Sequence, residues 1–282
     1  MSFAIASICE GLVSQHPPKI VAPLSLNLFT IFPIYWLFVL GLQPNFLNST
    51  GHSLWPSTVS FQNFSVSFLN DEWVQGYLNA TAYVFLNVIL TLVVAVPAAF
   101  AFSRYKFLGN RNLFFWLLVC RMIPPAVVMV PMVQIAAIFN LVDTYLAVAI
   151  AHCLFNVPIA IWILEGFISS IPKETDEMAR VDGYSTFGFC RTILVPQILP
   201  GLGVTAFFCF MFSWVELTLA NALTTVDAKP IGVILKMVAS PLGGVHIGIA
   251  AATSILTLIP GIVVAWLARN HIARGFSMGQ VK

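Results

Sequence analysis

Three long stretches of this chain contain no charged residue: residues 20–70, 73–103 and 237–268. Each is longer than the roughly 20 apolar residues that an α-helix needs to cross the hydrocarbon core of a bilayer. Over the whole chain, 59% of the residues are hydrophobic and only 9% are charged. This composition excludes an ordinary soluble domain, a disordered chain and a nucleic-acid-binding platform. The chain is therefore predicted to fold within a lipid membrane.

Hydrophobic runs divide the chain into six segments, at residues 20–42, 76–103, 112–136, 143–169, 197–225 and 246–268. The runs are unbroken and at least twice as long as the roughly ten alternating residues of a transmembrane β-strand. The first run is not expected to be a cleaved signal peptide, because residues 1–18 contain no Lys or Arg. We predict an all-α membrane protein with six transmembrane helices over residues 20–268.

The basic residues indicate how these helices are oriented. Ten of the thirteen Lys and Arg residues fall on one side: Lys19, Arg104, Lys106, Arg111, Lys173, Arg180, Arg191, Arg269, Arg274 and Lys282. Only Lys229 and Lys236 fall on the other side. Because short cytoplasmic loops collect basic residues, both the N-terminal segment 1–19 and the C-terminal tail 269–282 are predicted to be cytoplasmic.

The loop at residues 170–196, between the fourth and fifth spans, is predicted to contain a short surface helix. Pro172 suits a first helical turn, and Gly183 is a residue that ends helices. Acidic residues lie where the helix dipole favours them, at Glu174, Asp176 and Glu177. About eleven residues span only about 16 Å, so this helix cannot cross the membrane. Its predicted contact face consists of Thr175, Met178, Ala179 and Asp182.

The same loop carries a recognisable motif. Glu177-Met178-Ala179, Gly183 and Ile193-Leu194-Val195-Pro196 resemble the signature Glu-Ala-Ala-x3-Gly-x9-Ile-x-Leu-Pro of permease subunits of bacterial ABC importers, with Met178 and Val195 as apolar departures. Other segments resemble the carbohydrate branch of these permeases, namely residues 32–36, 97–101, 104–107, 122–125, 143–144 and 274–276 with Gly279.

This resemblance implies a function and a set of partners. The loop would be a coupling helix that docks on an ATPase subunit, through Glu177, Met178, Ala179, Asp182, Gly183 and Pro196. The partners implied are a second permease subunit, two ATPase subunits that bind ATP and Mg, and an extracytoplasmic solute-binding protein. The substrate would be a sugar or polyol and the location the bacterial inner membrane. This chain itself would bind no cofactor.

Polar residues inside the spans are candidates for the substrate path, because charged groups are costly in lipid. Asn79, Tyr83 and Asn87 share one face of the second span, and with Trp214 and Glu216 they could bind hydroxyl groups. Hydrogen bonding between helices is the alternative for the second-span residues. Arg121 and Glu165 could form an ion pair, reach the interface or take part in gating. Glu216 has no evident basic partner at its depth.

Two other functions fit the sequence less well. A secondary transporter or channel for small polar solutes is disfavoured because no inverted repeat and no chain of buried carboxylates is evident in the sequence. A membrane-embedded enzyme would need a cluster of catalytic groups or metal ligands, but His152, His246 and His271 lie far apart and no HExxH or GxSxG motif occurs. No P-loop occurs either, so ATP hydrolysis is assigned to other chains. We predict neither catalytic residues nor a metal site.

Overall fold

The computed structural model describes residues 21–43, 55, 58–239 and 246–278. In this part of the chain all regular structure is helical, as predicted. The helices are α1 (Val21–Gly41), α2 (Gln62–Leu69), α3 (Asp71–Arg104), α4 (Asn110–Arg121), α5 (Pro125–Ile138), α6 (Tyr145–Ser169), α7 (Glu174–Val181), α8 (Thr186–Gln197), α9 (Leu199–Val215), α10 (Thr218–Leu223), α11 (Ile231–Val238) and α12 (Ile247–Met278). The predicted segment 1–19 and the last four residues of the predicted tail lie outside the described residues.

Three helices in the described part are long and apolar enough to cross a membrane: α3, α6 and the Ile247–Arg269 part of α12. Two further spans are broken pairs, α4 with α5 and α8 with α9, which bend by 95° and 79°. The protein is thus an all-helical multi-pass membrane protein with three to five candidate spans in this region. The first predicted run coincides with α1, whose Phe29–Gly41 part is a shorter apolar helix.

The third predicted span, 112–136, is therefore wrong as a continuous helix, and the fifth, 197–225, is wrong as one because α9 ends at Val215 and α10 begins at Thr218. Pro124 is the N-cap of α5 and Pro125 its first residue, so the chain cannot continue α4 as a straight helix. In the second pair, Pro200 lies in the first turn of α9, directly after the bend at Ile198. Hydropathy detects the apolar run but not the missing backbone donors that break it.

The larger of two compact units comprises residues 68–244 and 257–282. Here α3 packs along α6, and α4 and α9 both pack against α6. Small side chains allow a close approach of the backbones, and Ala95, Ala99 and Ala160 are fully buried. Larger side chains such as Leu164 and Leu194 complete this core.

The smaller unit comprises residues 1–67 and 245–256. Its polar contacts cap a helix end. The Asn63 amide donates to the carbonyl oxygens of Gly41 and Gln43, at 2.9 and 3.0 Å, and so satisfies groups that the end of α1 leaves unpaired. The hydroxyls of Ser67 and Thr253 lie 2.8 Å apart, which joins α2 to α12 within this unit.

Candidate functional site

Helix α7 forms where the sequence predicts it and ends at Gly183. This glycine has φ +83°, a left-handed conformation that L side chains rarely adopt. The Tyr184 amide donates to the Ala179 carbonyl at 3.0 Å, and the Gly183 amide donates to the Arg180 carbonyl at 3.1 Å. These two bonds are the Schellman arrangement that closes a helix. An added Cβ at Gly183 would meet no atom within 4 Å, so the backbone angle and not space requires glycine there.

The exposed face of α7 differs from the predicted one. Ala179 is only 2% exposed and belongs to the core beside Phe189 and Leu194, so it is not part of an outer surface. The exposed face instead follows the spacing i, i+3, i+4, i+7 through Glu174, Glu177, Met178 and Val181. The predicted face is rotated because the α7 side carrying Ala179 packs on the bundle. Asp182 caps the helix and Pro196 lies near the end of α8, and both are exposed.

A buried ion pair holds α7 to the end of α3. The Arg104 Nε atom lies 2.7 Å from Asp176 Oδ2, and the side chains are 6% and 14% exposed. Arg104 also donates to the Ile171 carbonyl at 3.0 Å. The sequence alone does not reveal this pair, because Asp176 also fits the acidic first turn of α7 and Arg104 lies 72 positions away. The pair thus links α7 directly to the end of α3.

A second polar cluster surrounds Glu216, directly after α9. Its carboxylate accepts from the amides of Thr218 and Leu219, at 2.7 and 3.0 Å, and so caps the start of α10. His152 Nε2 lies 3.1 Å from Glu216 Oε2. The expectation that Glu216 has no basic partner at its depth is therefore wrong. A signal existed in the sequence: His152 lies nine residues after the start of the fourth predicted run at 143, and Glu216 nine residues before the end of the fifth at 225.

Arg121 faces the same cluster, at the bend between α4 and α5. The carbon of its guanidinium lies 3.7 Å from the centroid of the Phe212 ring. The ion pair suggested for Arg121 and Glu165 is not formed, and Glu165 accepts instead from the Ser169 hydroxyl at 2.6 Å. A cavity of about 30 Å³ lies here, lined by Arg121, Pro125, His152, Phe155, Asn156, Phe212, Ser213 and Glu216. We call it the bend cleft.

The amides of Asn79 and Asn87 are both fully hydrogen-bonded within the chain. Asn79 donates to the carbonyls of Asp227 and Lys229 and accepts from Gln75 and Tyr145, at 2.8–2.9 Å. Asn87 donates to the Ala149 carbonyl and Cys153 Sγ and accepts from Asn156 and Ser213. Because each amide has four hydrogen-bonding positions, neither has one to spare.

The two aromatic candidates, Tyr83 and Trp214, make contacts with different partners. Tyr83 is 2% exposed and meets the His152 ring edge-on, with centroids 5.5 Å apart. Trp214 stacks on Phe210 at 5.6 Å and donates from Nε1 to the Thr257 carbonyl at 3.1 Å. The structure thus brings Tyr83 and Glu216 together around His152, and it joins Asn87 to Asn156 and Ser213, which line the bend cleft. Asn79 contacts other residues.

Asp143, in the turn before α6, holds the segment that follows α10. Its carboxylate accepts from the amides of Thr225, Val226, Asp227 and Ala228 at 2.9–3.0 Å, and from the Thr225 hydroxyl at 2.7 Å. Burial by itself would raise the pKa of Asp143, but these hydrogen bonds outweigh it and lower the pKa well below the usual range. The same segment is held from the other side by Asn79.

In the described residues, no group of three or more His, Cys, Asp or Glu side chains could hold a metal ion. The bundle and the exposed helix α7 define an α-helical integral membrane protein that presents a short amphipathic surface helix. The chain belongs to the family of binding-protein-dependent transport system inner membrane components, whose model matches residues 91–275.

Individual relatives extend this likeness to most of the chain. The trehalose transport system permease protein SugB of Mycobacterium tuberculosis is 30% identical over 257 residues, covering 90% of this chain and 93% of the relative. The diacetylchitobiose uptake system permease protein DasC of Streptomyces coelicolor is 25% identical, covering 89% and 92%. A crystal structure of a bacterial ABC transporter involved in alginate import contains a chain with the same fold, with a TM-score of 0.76 at 20% identity and coverage of 94% and 97%.

Proposed function

We propose that this chain is a permease subunit of an ATP-driven importer for a sugar or polyol in the bacterial inner membrane. It forms the translocation path with a second permease subunit and receives substrate from an extracytoplasmic solute-binding protein. The family match over residues 91–275 supports the importer class. The named transport of trehalose and diacetylchitobiose by two relatives supports the sugar class.

The proposed topology has six spans and two cytoplasmic termini. Its support is the distribution of basic residues together with the helices that cover each hydrophobic run: α1, α3, α4 with α5, α6, α9 with α10, and α12. In this orientation α7 lies on the cytoplasmic side, and the segment held by Asp143 lies on the outer side.

The observation that carries the proposal is the exposed face of α7. Met178 and Val181 are 61% and 88% exposed on a helix that is fixed to the bundle by the Arg104–Asp176 pair. An apolar, acid-flanked surface of this kind is suited to a groove on another protein. We assign that groove to an ATPase subunit, one of two in the importer. Those subunits bind ATP and Mg and carry out the hydrolysis, and this chain is not catalytic.

For the substrate path we retain Glu216 and Trp214. Asn79 and Asn87 are assigned to helix packing, because their amides have no free hydrogen-bonding position, and Tyr83 supports His152. Glu216 keeps its place because it lines the bend cleft together with Arg121 and the aromatic residues Phe155 and Phe212.

The decisive experiment is uptake by the assembled importer in proteoliposomes, with trehalose and diacetylchitobiose as probes. We expect uptake that requires ATP and the binding protein, and that is lost in Glu177→Lys while ATP hydrolysis continues. Glu72→Lys is the matched control, because Glu72 is also an exposed acid in a first helical turn but lies at the other end of α3. Uptake without ATP would instead indicate a secondary transporter or channel. Wild-type uptake by Glu177→Lys would exclude α7 from coupling.

A further inference from the structure

Arg121 has hydrogen-bond donors that the chain does not use. It ends α4, and the carbon of its guanidinium lies 3.7 Å from the centroid of the Phe212 ring, which also lines the bend cleft. Within the described residues, this guanidinium makes neither a hydrogen bond nor an ion pair. An Arg side chain carries five N–H donors, and stacking on a ring satisfies none of them. Arg121, which lines the bend cleft, therefore has donors without a protein acceptor among the described residues.

Two buried acceptors belong to residues that line the same cleft. His152 Nδ1 and Asn156 Oδ1 are both buried without a hydrogen-bond partner, in residues that are 2% and 1% exposed. The Glu216 carboxylate caps α10 as an acceptor, so we place the ring proton of His152 on Nε2, which faces it. In the neutral ring Nδ1 then remains an acceptor.

Unpaired buried acceptors are costly, and native proteins fill such positions with a water molecule or a ligand. The bend cleft, at about 30 Å³, has room for one such group but not for a sugar ring. A single O–H group matches the donors and acceptors, since its oxygen can accept from Arg121 while its proton goes to Asn156 or His152.

We propose that the bend cleft is a binding site for one O–H group, with Arg121 donating to it and Asn156 or His152 accepting from it. The group is a hydroxyl of the transported sugar or a fixed water molecule. The first source rests on the proposed function, because it requires a sugar to pass Glu216. In that case the wall of the path, and not a closed pocket, recognises the sugar through this single hydroxyl.

The direct test is a structure of the assembled importer, determined by electron cryomicroscopy at a resolution that shows water, with and without trehalose. We expect density for one non-protein oxygen within hydrogen-bonding distance of Arg121 and Asn156. A separate density without trehalose identifies water, and density continuous with the sugar in its presence identifies a sugar hydroxyl. A cleft without density in both states, or filled by a side chain of another subunit, would overturn the proposal.

Kinetics separate the two sources. If a sugar hydroxyl binds, Arg121→Met should raise the KM for trehalose uptake about tenfold, because one hydrogen bond to a charged group is lost. Arg121→Lys should retain part of the affinity. The matched control is Arg269→Met, because Arg269 also lies over an aromatic ring, Trp266 at 4.7 Å, but outside the cleft. An unchanged KM in Arg121→Met, with the oxygen density present in the wild type, assigns the site to water.

Failure of the proposed function would be seen separately. A wild-type importer that hydrolyses ATP but takes up neither trehalose nor diacetylchitobiose would count against the sugar class. The density measurement would still decide whether the cleft binds an O–H group, since it does not depend on transport.

Discussion

The Arg104 guanidinium and the Asp176 carboxylate, 72 positions apart in the chain, form an ion pair of 2.7 Å that joins the end of α3 to α7. Both side chains are nearly buried, so removing one charge leaves the other uncompensated. We expect Arg104→Met to lower the stability of the assembled importer by about 3 kcal/mol and to reduce ATP-driven uptake.

Replacing both members, in Arg104→Met with Asp176→Leu, should recover much of the loss, because no unpaired charge remains. Thermal unfolding and uptake would be measured together. Lys106→Met serves as control, since Lys106 is an exposed cation two residues away. Equal stability of Arg104→Met and the wild type would show that the pair does not hold α7 in place.

A comparison of Gly183 with Gly109 can separate two effects of an Ala substitution: backbone strain at a positive φ, and loss of coupling between ATP hydrolysis and uptake. Both glycines have φ +83° and both have open space where a Cβ would be added. Substitution by Ala at either position should therefore cost about 1 kcal/mol. Only Gly183→Ala should also reduce uptake per ATP hydrolysed, because only this glycine ends α7. Equal coupling ratios in the two variants would contradict a specific role for the turn.

The free energy of unfolding should depend on pH through the Asp143 carboxylate. Its folded pKa is lowered, so the ionised form is favoured by folding. The stabilisation is complete above the ordinary Asp pKa of about 4 and is lost as the pH falls from there toward the lowered folded value. We expect a contribution of about 1 kcal/mol or less, because solvent screens this carboxylate.

The measurement is the unfolding temperature of the importer between neutral and acidic pH. Asp143→Asn should lower it at neutral pH and remove part of its dependence on pH. Asp227→Asn is the control, because Asp227 is an exposed acid in the segment that Asp143 holds. The same pH dependence in Asp143→Asn and the wild type would be inconsistent with this account.

Gly201 lies against Phe167 where α9 crosses α6. A Cβ added there would lie 2.6 Å from Phe167 Cγ, which is too close for a real contact. Gly201→Ala should therefore destabilise the protein by about 1–3 kcal/mol, and the same substitution should cost less in a Phe167→Ala background, where the Cγ and Cδ2 atoms are absent. Gly166→Ala, with no atom within 4 Å of the added carbon, should be nearly neutral. Similar unfolding temperatures for the two glycine variants would refute the steric explanation.

The sequence by itself determined the elements whose causes are local. Membrane spans follow from runs of neighbouring apolar residues, and α7 follows from its acidic first turn and from Gly183 at its end. The same local spacing indicated the importer family, and the family match confirms this family. Even the breaks at Pro124 and Pro200 have local causes, although hydropathy alone does not reveal them.

The tertiary structure decided which distant groups meet. His152 lies beside Glu216, and Ala179 is buried in the core. The Asn79 amide donates to the carbonyls of Asp227 and Lys229. Each outcome depends on how far a helix is rotated about its axis and how deep it lies. Neighbouring residues do not set these quantities, because they result from the packing of whole helices against one another.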